Sequence, residues 1–177
     1  ESARLESLVA DLLDLARLDA HRFALDLSPV EPADVLDRAF DAMQAEATNR
    51  GVAFERGIDP LKPVVTDESR VHRIVSNLLD NAIHWTPPGG TVRLEGHGRP
   101  DGGVSASVTD TGPGIPASEQ ETIFEAFQSQ ETPDGRRGSG LGLAISRQLA
   151  RALGGDVRVE SREGLGSRFV LDVPARK

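Results

Sequence analysis

Two glycine-rich turns and one carboxylate are the groups in this sequence whose types and spacing could do chemistry together. Asp110 to Ile115 reads Asp-Thr-Gly-Pro-Gly-Ile, and Gly138 to Leu143 reads Gly-Ser-Gly-Leu-Gly-Leu. Glycines let a ligand approach the backbone closely, and a glycine turn that opens a helix directs free N–H groups at one place, which suits a phosphate. Because an acid heads the first turn and a polar run, Gln128 to Arg137, separates the two, the pattern favours a nucleotide pocket with a lid over two ordinary tight turns.

A helix predicted from Glu68 to about Trp85 carries the second candidate group. Each residue turns the helix by about 100°, so the apolar residues of this segment share one broad face. Asn77, Asn81 and His84 then fall together on the opposite side. Asn is a poor helix former, so two of them inside a helix favour a ligand-facing role over a solvated polar face.

The remaining segments must position these groups. Helical periodicity predicts further helices over residues 33–50, 116–127 and 141–153. Alternation of apolar and polar residues predicts strands over residues 23–27, 52–56, 64–66, 91–95, 104–108, 156–160 and 167–173, and residues 28–32 are expected to form a boundary. The predicted fold is an α/β (α+β) two-layer sandwich: a mixed, largely antiparallel sheet with about three helices on one face.

The first part of the chain is predicted to be a separate helix. Residues 1–20 carry a wide apolar stripe at helical spacing, flanked by charged residues. Such a stripe needs a partner, either the domain itself or another helix, and the spacing leaves both open. We therefore expect two units, residues 1–22 and residues 23–177.

Composition excludes several classes of function. The net charge is −8 and no basic block is present, so a nucleic-acid partner is not expected. The chain has no cysteine, which excludes disulfides, thiolate catalysis and cysteine zinc sites. Its apolar runs are far shorter than a membrane span, so we expect no membrane segment in this chain.

Four segments, in order, resemble the sequence boxes of sensor histidine kinases. Asn77 to His84 resembles the N box, Asp110 to Ile115 the G1 box, Ile123 to Phe127 the F box and Gly138 to Ile145 the G2 box. Leu8 to Leu18 looks like the second helix of the dimerisation hairpin of these kinases. The resemblance implies a Bergerat-type ATP-binding fold, shared with type II topoisomerase, heat-shock chaperone and mismatch-repair ATPases, preceded by that helix.

The resemblance also implies roles for individual residues. Asp110 would accept a hydrogen bond from the adenine amino group, Asn81 would be a ligand of Mg²⁺, and Asn77 and His84 would serve catalysis. Gly112 and Gly114 would act as lid hinges, and Phe124 and Phe127 would anchor the base of the lid. The full set implied for nucleotide binding is Asn77, Asn81, His84, Asp110, Gly112, Gly114, Ile115, Arg137, Gly138, Ser139, Gly140, Leu141 and Gly142.

The sequence departs from the family pattern at two site positions. His84 stands where the family has Lys or Arg, and Ser129 stands where it often has Arg. Arg136 or Arg137 could supply the missing lid cation or could be solvated, and the sequence leaves both open.

The phosphoacceptor context of the family is also missing. His21, His72, His84 and His97 are the four histidines of the chain, and none is followed by the acid and Arg-Thr-Pro-like turn that mark the acceptor.

We interpret the chain as the ATP-binding catalytic portion of a sensor histidine kinase, in the cytoplasmic part of a membrane-bound sensor. The implied partners are ATP and ADP, Mg²⁺, the protein's own dimerisation hairpin in a homodimer, and a response-regulator receiver domain. Phosphate would pass from MgATP to a hairpin His outside this chain and then to a regulator Asp. The alternatives are an anti-sigma-type serine kinase and a nucleotide-sensing or partner-binding module without phosphotransfer.

Overall fold

The computed structural model describes residues 24–128 and 139–176, together with Val9, Leu13 and Ala16. Its helices are α1 (Pro32–Asn49), α2 (Glu68–Trp85) and α3 (Gly142–Ala152), with a short 3-10 helix at Thr122–Phe124. Its strands are β1 (Ser28–Val30), β2 (Ala53–Ile58), β3 (Val64–Thr66), β4 (Thr91–Gly98), β5 (Val104–Asp110), β6 (Asp156–Arg162) and β7 (Gly166–Val173).

Five of the strands form one mixed sheet. Their order is β2-β4-β5-β7-β6, with β2 parallel to β4 and every other pair antiparallel. The strands β1 and β3 form a separate antiparallel pair. In the helical layer, α2 packs against both α1 and α3. The predicted two-layer fold with three helices and a largely antiparallel sheet is confirmed.

The core lies between this sheet and the helices. The apolar face predicted for α2 is buried, with Ile74 and Leu79 fully excluded from solvent. Along β5, every second residue from Val104 points into the same core, and the last position of that series is Asp110. Side chains alternate between the two faces of a strand, so the apolar pattern of β5 places a carboxylate at the helix-facing end of the sheet.

Two predicted elements are wrong. Residues 24–27 are not a strand; the strand is β1, inside the segment expected to be a boundary. The Asp26 N–H donates instead to the carboxylate of Asp67, 3.0 Å away, so a side chain replaces a strand partner there. Of the helix expected over residues 116–127, only a 3-10 turn at Thr122–Phe124 forms; turns precede it, and the Gln120 side chain there donates to the carbonyls of Ile115 and Ser161.

Little of the N-terminal stretch lies within the described residues. Val9, Leu13 and Ala16 are helical and exposed. The division into residues 1–22 and 23–177 stays a prediction. Within the described part of the chain, no helix combines the length and the apolar character needed to cross a bilayer.

Candidate nucleotide-binding site

Asp110 is a buried carboxylate at the end of β5. It is 5% exposed and takes part in no ion pair with any described residue. Burial raises the pKa of Asp110, while hydrogen bonds from the N–H groups of Gly112 and Ser167 lower it. The Gly112 N–H lies 2.8 Å from Asp110 Oδ1. A buried charge held only by backbone N–H groups is energetically unfavourable unless a further donor is supplied, and perturbed carboxyls of this kind cluster at functional sites.

The turn after Asp110 is fastened to the hairpin between β6 and β7. The Gly164 N–H donates to Pro113 O at 2.7 Å, and the Ile115 N–H donates to Ser161 Oγ at 2.8 Å. Gly114 has a φ of 72°, and a Cβ built there would lie 2.2 Å from the Arg162 carbonyl oxygen. Glycine is therefore required at this position both for its conformation and for the close approach of the two backbones. The hinge role expected for Gly112 and Gly114 stays a prediction.

The amide-bearing face of α2 meets α3. Asn77 Nδ2 donates to Ser146 Oγ across the two helices at 3.3 Å. Asn81, one turn further along α2, is half-buried and forms no hydrogen bond through its side chain with any other described residue. Its amide oxygen is thus available to a ligand.

The N-terminus of α3 is built differently from that of α2. Asp67 caps α2 by accepting a hydrogen bond from the Arg70 N–H at 3.1 Å, and Glu68 stands in its first turn. Leu141 is the N-cap of α3, with no side-chain cap hydrogen bond, and the first turn of α3 contains no acid. A Cβ built on Gly142 would have no neighbour within 4 Å. Free N–H groups and an open surface at a helix N-terminus favour an anion.

His84, in the last turn of α2, lies beside two carboxylates, Asp80 of the same helix and Glu46 of α1. Its Nδ1 is 3.3 Å from Asp80 Oδ1 and 2.8 Å from Asp80 O, and its Nε2 is 3.8 Å from Glu46 Oε1. The hydrogen bond with the Asp80 side chain is the main cause that raises the pKa of His84; burial and Arg50 lower it. The contacts with Asp80 raise the pKa of His84, so this position carries a positive charge over a wider pH range than an ordinary histidine.

The two aromatic residues of the F-box segment have different surroundings. Phe124 packs edge-on against the buried Phe169, with ring centroids 6.3 Å apart. Phe127 is 64% exposed, has a φ of 65°, and donates its N–H to Gly140 O at 2.9 Å. Phe124 therefore packs against the core, whereas Phe127 does not.

Arg147 joins the F-box segment to α3. Its guanidinium carbon lies 4.5 Å from the centre of the Phe124 ring, and its nitrogens lie 3.4 Å from Glu121 Oε2 and 3.1 Å from Asp156 Oδ1. The hydrogen bond with Asp156 is the first cause of the raised pKa of Arg147. The aromatic ring and two carboxylates hold this side chain at a junction of three segments.

Sequence reasoning missed four residues that hold the site together: Gln120, Ser146, Arg147 and Ser161. Each lies outside the glycine and asparagine motifs. Ser146 is wholly buried in α3, and Ser161 continues the alternation of Val157 and Val159 in β6, so a hydroxyl at a core-facing position was the available signal.

Several expected site residues lie outside the described residues: Ser129, Arg136, Arg137 and Gly138. Among the residues that are described, no group of three His, Asp or Glu side chains could hold a metal ion. A metal at this site would rely on neutral amide oxygens and on the charge of a bound phosphate. Amide oxygen is a ligand that Mg²⁺ accepts when phosphates supply the charge, so Asn77 and Asn81 fit such an ion.

The fold and these groups define an ATP-binding domain of the histidine kinase type. A family model described as "Histidine kinase-, DNA gyrase B-, and HSP90-like ATPase" matches residues 66–177, more than half of the chain. The chain therefore belongs to this ATPase family. The described fold is the one that members of the family share.

Within this ATPase family, the chain is similar to several named sensor kinases. The adaptive-response sensory kinase SasA of Synechococcus sp. (strain JA-3-3Ab) is 33% identical over 172 residues, which cover 97% of this chain and 46% of SasA. The structure of full-length ShkA in complex with AMPPNP superposes with a TM-score of 0.87 at 36% identity, over 96% of this chain and 35% of ShkA. The structure of the mycobacterial sensor histidine kinase MprB gives a TM-score of 0.73 at 34% identity, over 85% of this chain and 98% of that structure.

These similarities confirm the resemblance to sensor histidine kinases and do not favour the two alternative functions. The chain is a catalytic ATPase domain of the histidine kinase type. It spans about half the length of the SasA relatives that it matches.

Proposed function

We propose that this chain binds MgATP and supplies the catalytic site of a protein histidine kinase. In the parent protein, the γ-phosphoryl group would pass to a histidine on the dimerisation hairpin of a homodimer, and from there to an aspartate of a response regulator. The observation that carries the proposal is Asp110, a buried carboxylate without a cationic partner among the described residues.

Asp110 acts as the acceptor for the adenine amino group. An ionised carboxylate accepts hydrogen bonds and cannot donate them, so it selects a ligand with an N–H donor. Gly112 and Ser167 occupy part of its accepting capacity through their N–H groups. The ligand amino group completes the set and offsets the cost of burying the charge.

The phosphates bind at the N-terminus of α3. With a net charge of −8, the chain cannot attract an anion through its overall field, so local groups must hold it. The uncapped first turn of α3 and the glycines Gly140 and Gly142 offer backbone N–H groups without an opposing acid. Arg137 and Gly138, which adjoin this turn in the sequence, complete the proposed phosphate site.

Asn81 is the proposed Mg²⁺ ligand, and Asn77 orders the polar groups beside it. When bound, Mg²⁺ supplies charge neutralisation to the phosphates. Asn81 contributes a neutral oxygen, and the hydrogen bond to Ser146 fixes the orientation of Asn77. His84, whose pKa is raised by Asp80, adds a positive charge on the same helix when it is protonated.

The contribution of the chain to the reaction is positioning and charge neutralisation. Phosphoryl transfer demands little covalent chemistry from the protein, so these groups need only hold the γ-phosphoryl group open to attack by an imidazole nitrogen. The named relatives SasA and MprB are sensory or sensor kinases, and ShkA was crystallised with AMPPNP. These names support the same activity for the parent of this chain.

The proposal is tested by binding and then by transfer. Calorimetry with Mg²⁺ and AMPPNP should detect binding to the wild-type chain and a loss of about tenfold or more in Asp110→Asn, the size expected for a hydrogen bond to a charged group. Asp59→Asn is the matched control, because Asp59 is exposed and pairs with His97. No binding by the wild-type chain would overturn the proposal.

Transfer is measured with labelled ATP and a separate fragment that contains the complete hairpin of the parent. The four histidines of this chain lack an acceptor context, so the chain alone should not label itself. The hairpin fragment should be labelled slowly, because the reaction in trans lacks the proximity of a single protein. Tight binding of ATP with no labelling of a folded hairpin would refute the kinase assignment and leave only nucleotide binding.

A further inference from the structure

We infer that Ser161 is a positioning residue that aligns the two walls of the adenine end of the site. This inference rests on the proposed function, since it concerns how the same site holds its base. One wall is Asp110 at the end of β5, and the other is the turn that ends at Ile115. Ser161 lies on β6, outside every motif that marks the site in the sequence.

Three polar groups surround the Ser161 hydroxyl. The Ile115 N–H lies 2.8 Å from Ser161 Oγ, the Gly166 carbonyl oxygen also lies 2.8 Å away, and Ser167 Oγ lies 2.9 Å away. A serine hydroxyl has one proton to donate and two lone pairs that accept. Three contacts therefore use its complete hydrogen-bonding capacity.

The direction of each hydrogen bond follows from the chemistry of the partners. A carbonyl oxygen can only accept, so the Ser161 proton goes to Gly166. A backbone N–H can only donate, so Ile115 fills one of the two lone pairs. The third contact must then be donated by Ser167, whose proton points toward Ser161.

Ser167 connects the hydrogen bonds of Ser161 to the Asp110 carboxylate. The two residues are directly paired in the ladder between β5 and β7, and both are buried. The Ser167 N–H is one of the two donors to the Asp110 carboxylate. Ser161 thus touches the turn through Ile115 and the carboxylate wall through Ser167, which makes it the polar link between them.

Gln120 strengthens the link from the other side of the turn. Its Nε2 donates to Ile115 O and to Ser161 O, each at 3.0 Å. Both the N–H and the C=O of Ile115 are therefore held by groups tied to β6. Removing the Ser161 hydroxyl would take one hydrogen-bond partner from each of the Ile115 N–H, the Gly166 carbonyl and the Ser167 hydroxyl, and we expect the turn to lose its register against Asp110.

The test compares Ser161→Ala with Ser161→Thr, which keeps the hydroxyl. Ser105→Ala is the matched control, because Ser105 is a half-buried serine of β5 that faces away from the helices. The readout is the affinity for MgATP and for magnesium inosine triphosphate, which has an oxygen in place of the adenine amino group. Their ratio reports the alignment of Asp110, and a residue that only stabilises the fold would not change it below the melting temperature.

We expect Ser161→Ala to weaken ATP binding about tenfold and to lower the ratio of ATP to inosine triphosphate affinity. Ser161→Thr and Ser105→Ala should retain both. Gln120→Met should act in the same direction as Ser161→Ala, and it carries the test if Ser161→Ala does not fold.

An unchanged affinity and ratio in a folded Ser161→Ala variant would overturn the inference while leaving the proposed function intact. An equal loss in Ser161→Thr would also overturn it, since the hydroxyl would then not be the cause. If the wild-type chain itself binds no ATP, the proposed function fails and the inference fails with it.

Discussion

Asn77 Nδ2 lies 3.3 Å from Ser146 Oγ, so a side-chain hydrogen bond joins α2 to α3. Ser146 is wholly buried, and Asn77 is half-buried. An amide nitrogen only donates, so this bond turns Asn77 Nδ2 toward α3 and leaves Oδ1 as an acceptor on its other side. The helix that carries the proposed metal ligand and the helix that carries the proposed phosphate site are thereby held in one arrangement.

Asn81→Ala should reduce the gain in nucleotide affinity that Mg²⁺ provides. The lost amide oxygen is a ligand for the ion, so binding measured in chelator should change much less than binding measured with Mg²⁺. Calorimetric titrations of the wild type and the variant, with Mg²⁺ and in chelator, give the loss of nucleotide affinity under each condition. Asn49→Ala, at the exposed end of α1, is the control. Equal losses with and without Mg²⁺ would indicate a structural asparagine.

Asp110→Asn should leave the ligand-free protein as stable as the wild type or more stable at neutral pH. Burial raises the folded-state pKa of Asp110 above its ordinary value of 3.8, so the ionised side chain lowers the free energy of unfolding at neutral pH. As the pH falls through the raised pKa, the folded protein takes up the proton first and this cost is relieved. The difference in the free energy of unfolding between the variant and the wild type, measured with urea, should be smaller at about pH 4 than at pH 7. A variant clearly less stable at pH 7 would contradict this prediction.

His84 should make ATP binding depend on pH near neutrality. Its folded-state pKa is raised above 6.5, chiefly by Asp80, so its stabilising contacts are fully present below pH 6.5 and are lost as the pH rises through the raised value. The stability effect should be about 0.5 kcal/mol, since the pair is partly exposed. ATP affinity should weaken over the same interval in the wild type. In His84→Lys, whose charge persists, the ATP affinity should not change over this pH interval. If the affinity of the wild type depends on pH in the same way as that of the variant, His84 does not contact the phosphates.

Arg147→Met should destabilise the protein by about 1–2 kcal/mol, because it removes a cation–π contact and two ion pairs while keeping an apolar stem. Arg151→Met is the control. Arg151 pairs with the same Asp156 at 3.2 Å but is 58% exposed, so its loss should change stability by less than about 0.5 kcal/mol. Denaturant unfolding measures both. Similar effects for the two arginines would show that the Phe124 contact adds nothing.

Long periodic segments allowed most of the fold to be predicted from the sequence. The helix predicted from Glu68 to about Trp85 has those bounds in the structure, since its apolar face and the Asp67 cap are both local signals. The strand predicted over residues 104–108 is also present, and in the structure it continues to Asp110. The helix predicted over residues 116–127 was wrong: Gln120 there binds the carbonyls of Ile115 and Ser161, and no periodicity records such contacts.

Only those residues of the candidate site that belong to a recognisable sequence motif could be predicted. The burial of Asp110 follows from its place in the alternating pattern of β5. The links through Ser146 and Ser161 join residues 69 and 46 positions apart, and sequence spacing contains no information on such contacts. The raised pKa of His84 depends chiefly on its contacts with Asp80, which the residue type alone does not record.

The hydrogen bond from the Phe127 N–H to Gly140 O closes the chain on itself at one point. A Cβ on Gly140 would lie 2.8 Å from the Phe127 carbonyl carbon, so the backbone segments at these two residues are in direct contact. Loop-closure entropy grows only with the logarithm of length, about 0.6 kcal/mol for each doubling. An insertion between Phe127 and Gly140 should therefore cost the sandwich little stability, so a reporter sequence can be grafted between them while the sheet stays unchanged.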